Sequence, residues 1–205
     1  GSPISSRSPR SGGNTGSMAS RAFVRRLPSA TPSRFAARTP AETVVVEESA
    51  SSRGPFYDQV RINRPCSYFA TASGGLGFAL PAAVGAGLAR PGTPVVCIAG
   101  DGSTMFGIHA IWTAAEYKIP VVFVVINNGH YGILKSFAAF QQTPGVPGLD
   151  LPGLDFVSLA RGLGAEARRV SDPDVLADAY REAFTAAMMD SRPILLDIVV
   201  HSGVQ

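Results

Sequence analysis

Apolar residues in this chain form short runs that alternate with stretches in which they recur at helical spacing. Runs of roughly four to eight apolar residues predict strands, at Thr43–Val46, Pro94–Ala99, Ile119–Ile126 and Ile194–Val200. Apolar residues three or four positions apart predict helices. One such helix ends near Leu88, and the others cover Ser103–Tyr117, Tyr131–Phe140, Phe156–Leu163 and Pro173–Met188. The serines at 49, 51 and 52 are suited to cap a further helix after the first strand.

This alternation predicts the fold class. Strands that alternate with helices build βαβ units, in which the strands lie parallel and the helices cover the sheet. The run Ile119–Ile126 is apolar throughout, as expected of a strand buried on both faces. We therefore expect one α/β domain over residues 42–205, with a mostly parallel sheet and helices on both faces.

The charge of the chain is unevenly distributed. The net charge is +3, but residues 1–41 carry seven arginines and no acidic residue. We interpret this segment as a disordered basic arm, either linker or leader sequence, and an organelle transit peptide is the alternative. Its arginines lack interleaved aromatic residues and a folded scaffold, which argues against nucleic-acid binding.

Composition excludes several other classes of protein. A chain of 205 residues with 45% apolar residues can bury a sizeable core, so it is not disordered throughout. No apolar run approaches the roughly 18 residues of a membrane-spanning helix, so we expect no membrane partner. Cys66 and Cys97 lie in apolar stretches. They predict two buried free thiols and a reducing, cytoplasmic location rather than a disulfide framework.

Candidate chemistry lies at the ends of two predicted strands. Gly100, Asp101 and Gly102 follow one strand and precede a helix, whose free N–H groups favour an anion. Asn127 and Asn128 follow the next strand. An aspartate would repel a phosphate unless a cation lay between them, and carboxylate and amide oxygens suit Mg²⁺. Because parallel strands end at one edge of a sheet, this pair predicts a metal-bridged diphosphate site.

The Gly-Asp-Gly triplet followed by two asparagines resembles the cofactor motif of the thiamine diphosphate-dependent enzymes. The resemblance covers residues 47–200, and it identifies the chain as similar to the domain that binds the diphosphate. Within the family, residues 72–83, 111–115 and 146–150 are most similar to decarboxylases of aryl 2-oxo acids. The resemblance therefore implies thiamine diphosphate and Mg²⁺ as cofactors. It implies a 2-oxo acid as substrate, and aromatic 2-oxo acids are among the candidates.

The resemblance also implies roles for individual residues. Asp101, Asn128 and the main-chain oxygen of His130 would hold Mg²⁺, with the His130 ring as a weaker acid–base candidate. Leu76 would be the apolar wedge beneath the cofactor. The predicted cofactor-binding residues are Ser51, Gly74, Leu76, Gly100, Gly102, Ser103, Tyr131 and Leu134. Ile133 and Phe137 would line the substrate pocket, and Ile133 is bulkier than the alanine of those decarboxylases, which leaves the exact substrate open.

One half of the active site is expected outside this chain. In the family, a glutamate that protonates the aminopyrimidine ring belongs to a separate pyrimidine-binding domain, which faces this one across a subunit interface. We expect the chain to be a fragment of a longer, homo-oligomeric enzyme, and one subunit of a split enzyme is the alternative. An acetolactate-synthase-like carboligase domain and a non-catalytic cofactor-binding or assembly module are the alternative functions.

Overall fold

The computed structural model describes residues 40–53, 62–143 and 145–200. Within these ranges, six strands form one parallel sheet in the order β2-β1-β3-β4-β6-β5. The strands are β1 (Val44–Glu48), β2 (Tyr68–Ala70), β3 (Val95–Gly100), β4 (Val121–Asn127), β5 (Glu166–Val170) and β6 (Ile194–Val199). The predicted α/β class with a parallel sheet is confirmed.

Helices in the described residues lie between the strands along the chain. They are α1 (Ala79–Ala89), α2 (Asp101–Gly107), α3 (Ala110–Glu116), α4 (Gly132–Phe140), α5 (Phe156–Gly162) and α6 (Leu176–Asp190). None of them is long and apolar enough to cross a membrane. The predicted basic arm lies outside the described residues except for Pro40 and Ala41, and the helix expected after Ser52 falls largely outside them.

The sheet is covered on both faces. On one face, α1, α3 and α5 pack against alternate side chains of β1, β3 and β4, such as Val46, Val95 and Phe123. On the other face, α6 packs against the intervening side chains, such as Val124 and Leu196. Because each strand buries both sets of alternating residues, the central strands are apolar throughout.

The structure corrects three predictions. The helix expected over Ser103–Tyr117 is two helices, α2 and α3, which are separated by a turn at residues 108–109, and the first begins two residues earlier than expected, at Asp101. The strands β2 and β5 were not predicted, since β2 is only three residues long and the five residues of β5 include three charged ones. Cys66 is exposed, and only Cys97 of the two thiols is buried.

Candidate active site

The predicted site lies at the carboxyl edge of the sheet. From β1 the chain passes to β2 on one side and then to β3 on the other. Such a reversal opens a crevice at the carboxyl ends of the strands, where ligands of open α/β sheets bind. The register pairs Glu48 with Ala99 and Gly100 with Ile126, so the loops after β1, β3 and β4 begin at the same level.

Asp101 is the first residue of α2 and connects two of these loops. Its side chain is buried, and its Oδ1 accepts a hydrogen bond from the Gly102 N–H at 2.8 Å. Its Oδ2 accepts from the N–H groups of Asn128 at 3.1 Å and Gly129 at 2.7 Å. Burial raises the pKa of the Asp101 carboxyl, and these backbone hydrogen bonds act in the opposite direction. The two predicted metal ligands Asp101 and Asn128 thus lie side by side.

The turn after β4 fixes one side-chain oxygen and one backbone oxygen by hydrogen bonds. Asn128 Oδ1 accepts from the His130 N–H at 3.1 Å, and the His130 carbonyl accepts from the Gly132 N–H at 2.9 Å. An antiparallel bridge between His130 and Asp150 holds the far side of the turn. The His130 imidazole is itself buried, and burial is the largest of the effects that lower its pKa.

Two glycines allow the loops to converge. A Cβ on Gly132 would lie 2.9 Å from Ser51 Oγ and 3.1 Å from Asn128 Nδ2, so the hydroxyl of the first loop and the amide of the third meet there. A Cβ on Gly102 would lie 2.3 Å from Tyr131 Cε1. The Tyr131 ring therefore packs on the backbone of the Gly100–Ser103 segment, and a larger residue at 102 would displace it.

The glycine-rich loop that carries Gly74 and Leu76 lies against the end of α2. Gly74 adopts a φ of +71°, and Leu76 is 38% exposed. The loop is held by buried Glu48 at the end of β1, whose carboxylate accepts from the N–H groups of Gly77 and Ala79, each at 2.7 Å. The structure therefore places the predicted wedge, partly exposed, on a loop that Glu48 braces.

Helix α4 presents an apolar face to the surface. Among its residues only Gly132 is buried, whereas Ile133, Leu134 and Phe137 are 49%, 46% and 59% exposed. Phe137 lies beside Phe140, which is still more exposed, with ring centroids 6.4 Å apart. The predicted substrate-side residues thus share one surface that the described part of the chain leaves uncovered.

The residues of the turn fit a hard cation. A carboxylate offers about four lone-pair sites and a carbonyl oxygen two. Three hydrogen bonds reach Asp101, and one each reaches Asn128 Oδ1 and the His130 oxygen, so each group retains acceptor capacity. Oxygen ligands of this kind are those Mg²⁺ uses, with phosphates and waters completing the set. The buried Asp101 carboxylate would also gain a counter-charge.

Four residues that shape this edge were not predicted from the sequence. Glu47 and Glu48 are buried carboxylates at the end of β1, Asp197 is a buried carboxylate within β6, and Arg169 pairs with Asp197 at 2.8 Å. Glu47 accepts from the Ser49 N–H and hydroxyl, from Arg53 Nε at 2.9 Å and from the Tyr68 hydroxyl at 3.0 Å. An acidic pair ending a valine run was the available signal, because charged residues rarely lie in such runs unless they are paired.

Comparison with known proteins agrees with this geometry. Residues 53–198 match the family model described as the C-terminal TPP-binding domain of thiamine pyrophosphate enzymes. The fold and the site thus define a cofactor-binding domain of the α/β class. The chain belongs to the thiamine pyrophosphate enzyme family.

Individual relatives within the family include decarboxylases and acetolactate synthases. Benzoylformate decarboxylase of Pseudomonas aeruginosa is 46% identical over 162 residues, which is 79% of this chain and 30% of the relative. The acetolactate synthase large subunit of Parasynechococcus marenigrum is 32% identical over 69% of this chain and 23% of the relative. The predicted likeness to aryl 2-oxo-acid decarboxylases is confirmed by the first of these.

Solved structures show the same likeness. The thiamine diphosphate-dependent 4-hydroxybenzoylformate decarboxylase of Rhodococcus jostii is 42% identical with a TM-score of 0.79, over 87% of this chain and 33% of that protein. Benzoylformate decarboxylase of Polynucleobacter necessarius is 39% identical with a TM-score of 0.80, over 87% of this chain and 34% of that protein. This chain therefore spans about a third of the length of these relatives.

Proposed function

We propose that this chain is the diphosphate- and Mg²⁺-binding domain of a thiamine diphosphate-dependent 2-oxo-acid decarboxylase. The observation that carries the proposal is the contact between the buried Asp101 carboxylate and the turn at Asn128, where the N–H groups of Asn128 and Gly129 both donate to Asp101 Oδ2. The family membership and the 46% identity to a benzoylformate decarboxylase support the same activity.

Different residues of the chain would bind the metal and the diphosphate. Mg²⁺ would be held by Asp101, Asn128 and the His130 carbonyl. The diphosphate would be bound by the Ser51 hydroxyl, by Ser103 and by the backbone at Gly102, at the start of α2. Tyr131 packs on Gly102 and would border the cofactor. Bound thiamine diphosphate would supply the electron sink for cleavage of the bond beside the 2-oxo group, while the protein supplies orientation and electrostatics.

The exposed apolar face of α4 implies that another domain or subunit binds there. Ile133, Leu134 and Phe137 would line the cofactor and substrate side only if a second body covered them. We propose that a pyrimidine-binding domain or subunit, which also carries the activating glutamate, covers this face in a homo-oligomeric, cytoplasmic enzyme. An aromatic 2-oxo acid is the substrate class favoured by the relatives.

Calorimetric titration of thiamine diphosphate at several Mg²⁺ concentrations tests the site. Asp101→Ala and Asn128→Ala should each weaken Mg²⁺-dependent binding at least about tenfold, or about 1.4 kcal/mol. Each substitution removes a hard oxygen and leaves the diphosphate charge less neutralised.

The matched control is His130→Thr. It retains the backbone carbonyl and should change the affinity by less than about threefold, well under 1 kcal/mol. Equal losses for His130→Thr and Asn128→Ala would show that the imidazole takes part, and unchanged binding in Asp101→Ala would refute the metal site.

A carboligase is the second candidate, because the chain is also 32% identical to an acetolactate synthase large subunit. Both reactions use the same cofactor half. The products distinguish the two activities when the chain is combined with a pyrimidine-binding half. A decarboxylase converts benzoylformate to an aldehyde and CO₂. A carboligase converts two molecules of pyruvate to an acetohydroxy acid and CO₂.

A further inference from the structure

A buried carboxylate on β6 lies behind the turn that carries the proposed metal ligands. The Asp197 side chain is fully buried, and its two oxygens have different partners. Asp197 Oδ1 accepts from Asn127 Nδ2 at 2.9 Å, and Oδ2 accepts from Arg169 Nε at 2.8 Å. The hydrogen bond to Asp197 is the main effect that raises the pKa of the Arg169 guanidinium. Arg169 also reaches Asp155 at the start of α5, at 3.4 Å.

This arrangement fixes the direction of the Asn127 amide. An ionised carboxylate only accepts hydrogen bonds, so Asn127 must turn its NH₂ group toward Asp197. Its Oδ1 then faces the turn, where it accepts from the Gly129 N–H at 3.2 Å. The same N–H donates to Asp101 Oδ2 at 2.7 Å. The backbone of Asn127 is held as well, since its carbonyl accepts from the Val200 N–H at 2.8 Å.

We propose that Asp197 is a positioning residue, which orients the Asn127 amide and thereby holds the Asn128–His130 turn in the conformation that binds Mg²⁺. Asp197 and Asn127 act through the turn and do not themselves touch the metal in this proposal. The inference rests on the proposed function for its metal, but the hydrogen-bond relay from β6 to Gly129 stands on the described contacts alone.

The variant Asp197→Asn tests the relay because it preserves size and removes one acceptor. Its single amide oxygen can serve either Arg169 or Asn127 in this geometry, and the charged donor forms the stronger bond. The new NH₂ group then faces Asn127, which must reverse its amide and point its own NH₂ at the Gly129 N–H. Two donors facing each other displace the turn.

Competition between Arg169 and Asn127 for one acceptor predicts a rescue. Removing the competing guanidinium in the double variant Asp197→Asn/Arg169→Ala frees the amide oxygen of residue 197 to accept from Asn127 again. The double variant should therefore bind Mg²⁺ better than Asp197→Asn alone. A merely structural role predicts the opposite, since a second deletion in one buried network adds damage. The matched control is Asp197→Asn/Arg168→Ala, because Arg168 pairs with Glu182 instead.

Two measurements on the full 205-residue chain decide the matter. The first is the Mg²⁺ concentration that half-saturates thiamine diphosphate binding. It should rise at least about tenfold in Asp197→Asn, equivalent to about 1.4 kcal/mol, return to within about threefold of the parent in the Arg169 double variant, and stay raised in the Arg168 control. The second is amide hydrogen exchange at Gly129 by NMR without ligand, which should accelerate in Asp197→Asn and slow again in the Arg169 double variant.

Asn127→Ala provides a second variant that leaves the Asp197–Arg169 pair in place, should Asp197→Asn not fold. It should raise the Mg²⁺ requirement and the Gly129 exchange rate by similar factors. Parent-like values in Asn127→Ala, or absence of rescue by Arg169→Ala in a folded Asp197→Asn protein, would overturn the proposal. Failure of the parent chain to bind Mg²⁺ and thiamine diphosphate would overturn the proposed function instead, and Gly129 exchange would still decide whether the relay exists.

Discussion

At the scale of single residues, burial gives the two cysteines opposite character. Cys97 lies in β3 at 1% exposure, paired in register with Val46 of β1. Desolvation raises the pKa of the Cys97 thiol well above its ordinary value, and the nearby carboxylates Glu48 and Glu47 raise it further. Cys66 is exposed in the turn before β2. The prediction that both thiols are buried therefore holds for Cys97 alone.

The two thiols should react with Ellman's reagent at very different rates. The thiolate is the reactive form, and at pH 8 a buried thiol of raised pKa supplies almost none of it and needs local opening to meet the reagent. We expect one thiol per chain to react at once and the other at least about a hundredfold more slowly. Cys66→Ser should abolish the fast phase and Cys97→Ser should leave it. A fast phase that survives Cys66→Ser would contradict the burial of Cys97.

At the scale of elements, α5 shows how local sequence and packing jointly end a helix. Gly164 follows the helix with a φ of +87°, and its N–H donates to the Arg161 carbonyl. The Ala165 N–H donates to the Ala160 carbonyl, which completes a Schellman motif. The turn leads directly into β5, which carries Arg169 to the buried Asp197. This glycine therefore positions a strand that the hydrophobic pattern does not reveal.

Gly164→Ala should destabilise the domain by roughly 1–2 kcal/mol, the usual cost of a left-handed conformation for a residue with a Cβ. The added Cβ would also lie 3.0 Å from Ala115 Cβ. Chemical denaturation with parallel circular dichroism measures the change. The control is Gly162→Ala in the same helix, where a Cβ meets no atom within 4 Å, and its effect should be neutral or stabilising. Equal destabilisation by both substitutions would refute this account.

At the scale of the whole molecule, the described residues form a complete two-sided α/β core around an open site. The sheet is covered on both faces, yet the apolar face of α4 and Leu76 remain exposed at its carboxyl edge. Large exposed apolar patches on soluble proteins mark interaction surfaces. A sheet that is covered on both faces, with an open apolar cleft at one edge, is what we expect of a domain that contributes one half of a shared active site.

The 205-residue chain by itself should therefore show negligible decarboxylation of benzoylformate in the presence of thiamine diphosphate and Mg²⁺. The proposal places the activating carboxylate on another domain or subunit, so cofactor binding here would not suffice for turnover. Release of CO₂ at about 1 s⁻¹ or faster, an ordinary enzyme rate, would contradict it. Co-expression with a pyrimidine-binding partner that restores turnover would provide the positive control.

Much of the fold and of the candidate site could be predicted from sequence because both are local or periodic. The β-branched runs predicted β1, β3, β4 and β6, and the Asp101 and Asn128 positions follow from strands that end at one edge. Parallel topology then brings residues 27 positions apart into contact, as the Asp101–Asn128 hydrogen bond shows. Strand periodicity and one topological rule are sufficient for that inference.

Only the tertiary structure decided which polar residues are buried and what they hold. Asp197 and Arg169 lie on neighbouring strands, and no spacing in the sequence indicates that they meet behind Asn127. Glu48 holds a loop through the N–H of Gly77, which is 29 residues later in the chain. A charge inside a protein is stable only with partners, and those partners come from distant segments. The sequence by itself determined the sheet and which polar residues end its central strands, whereas packing decided how that edge is braced.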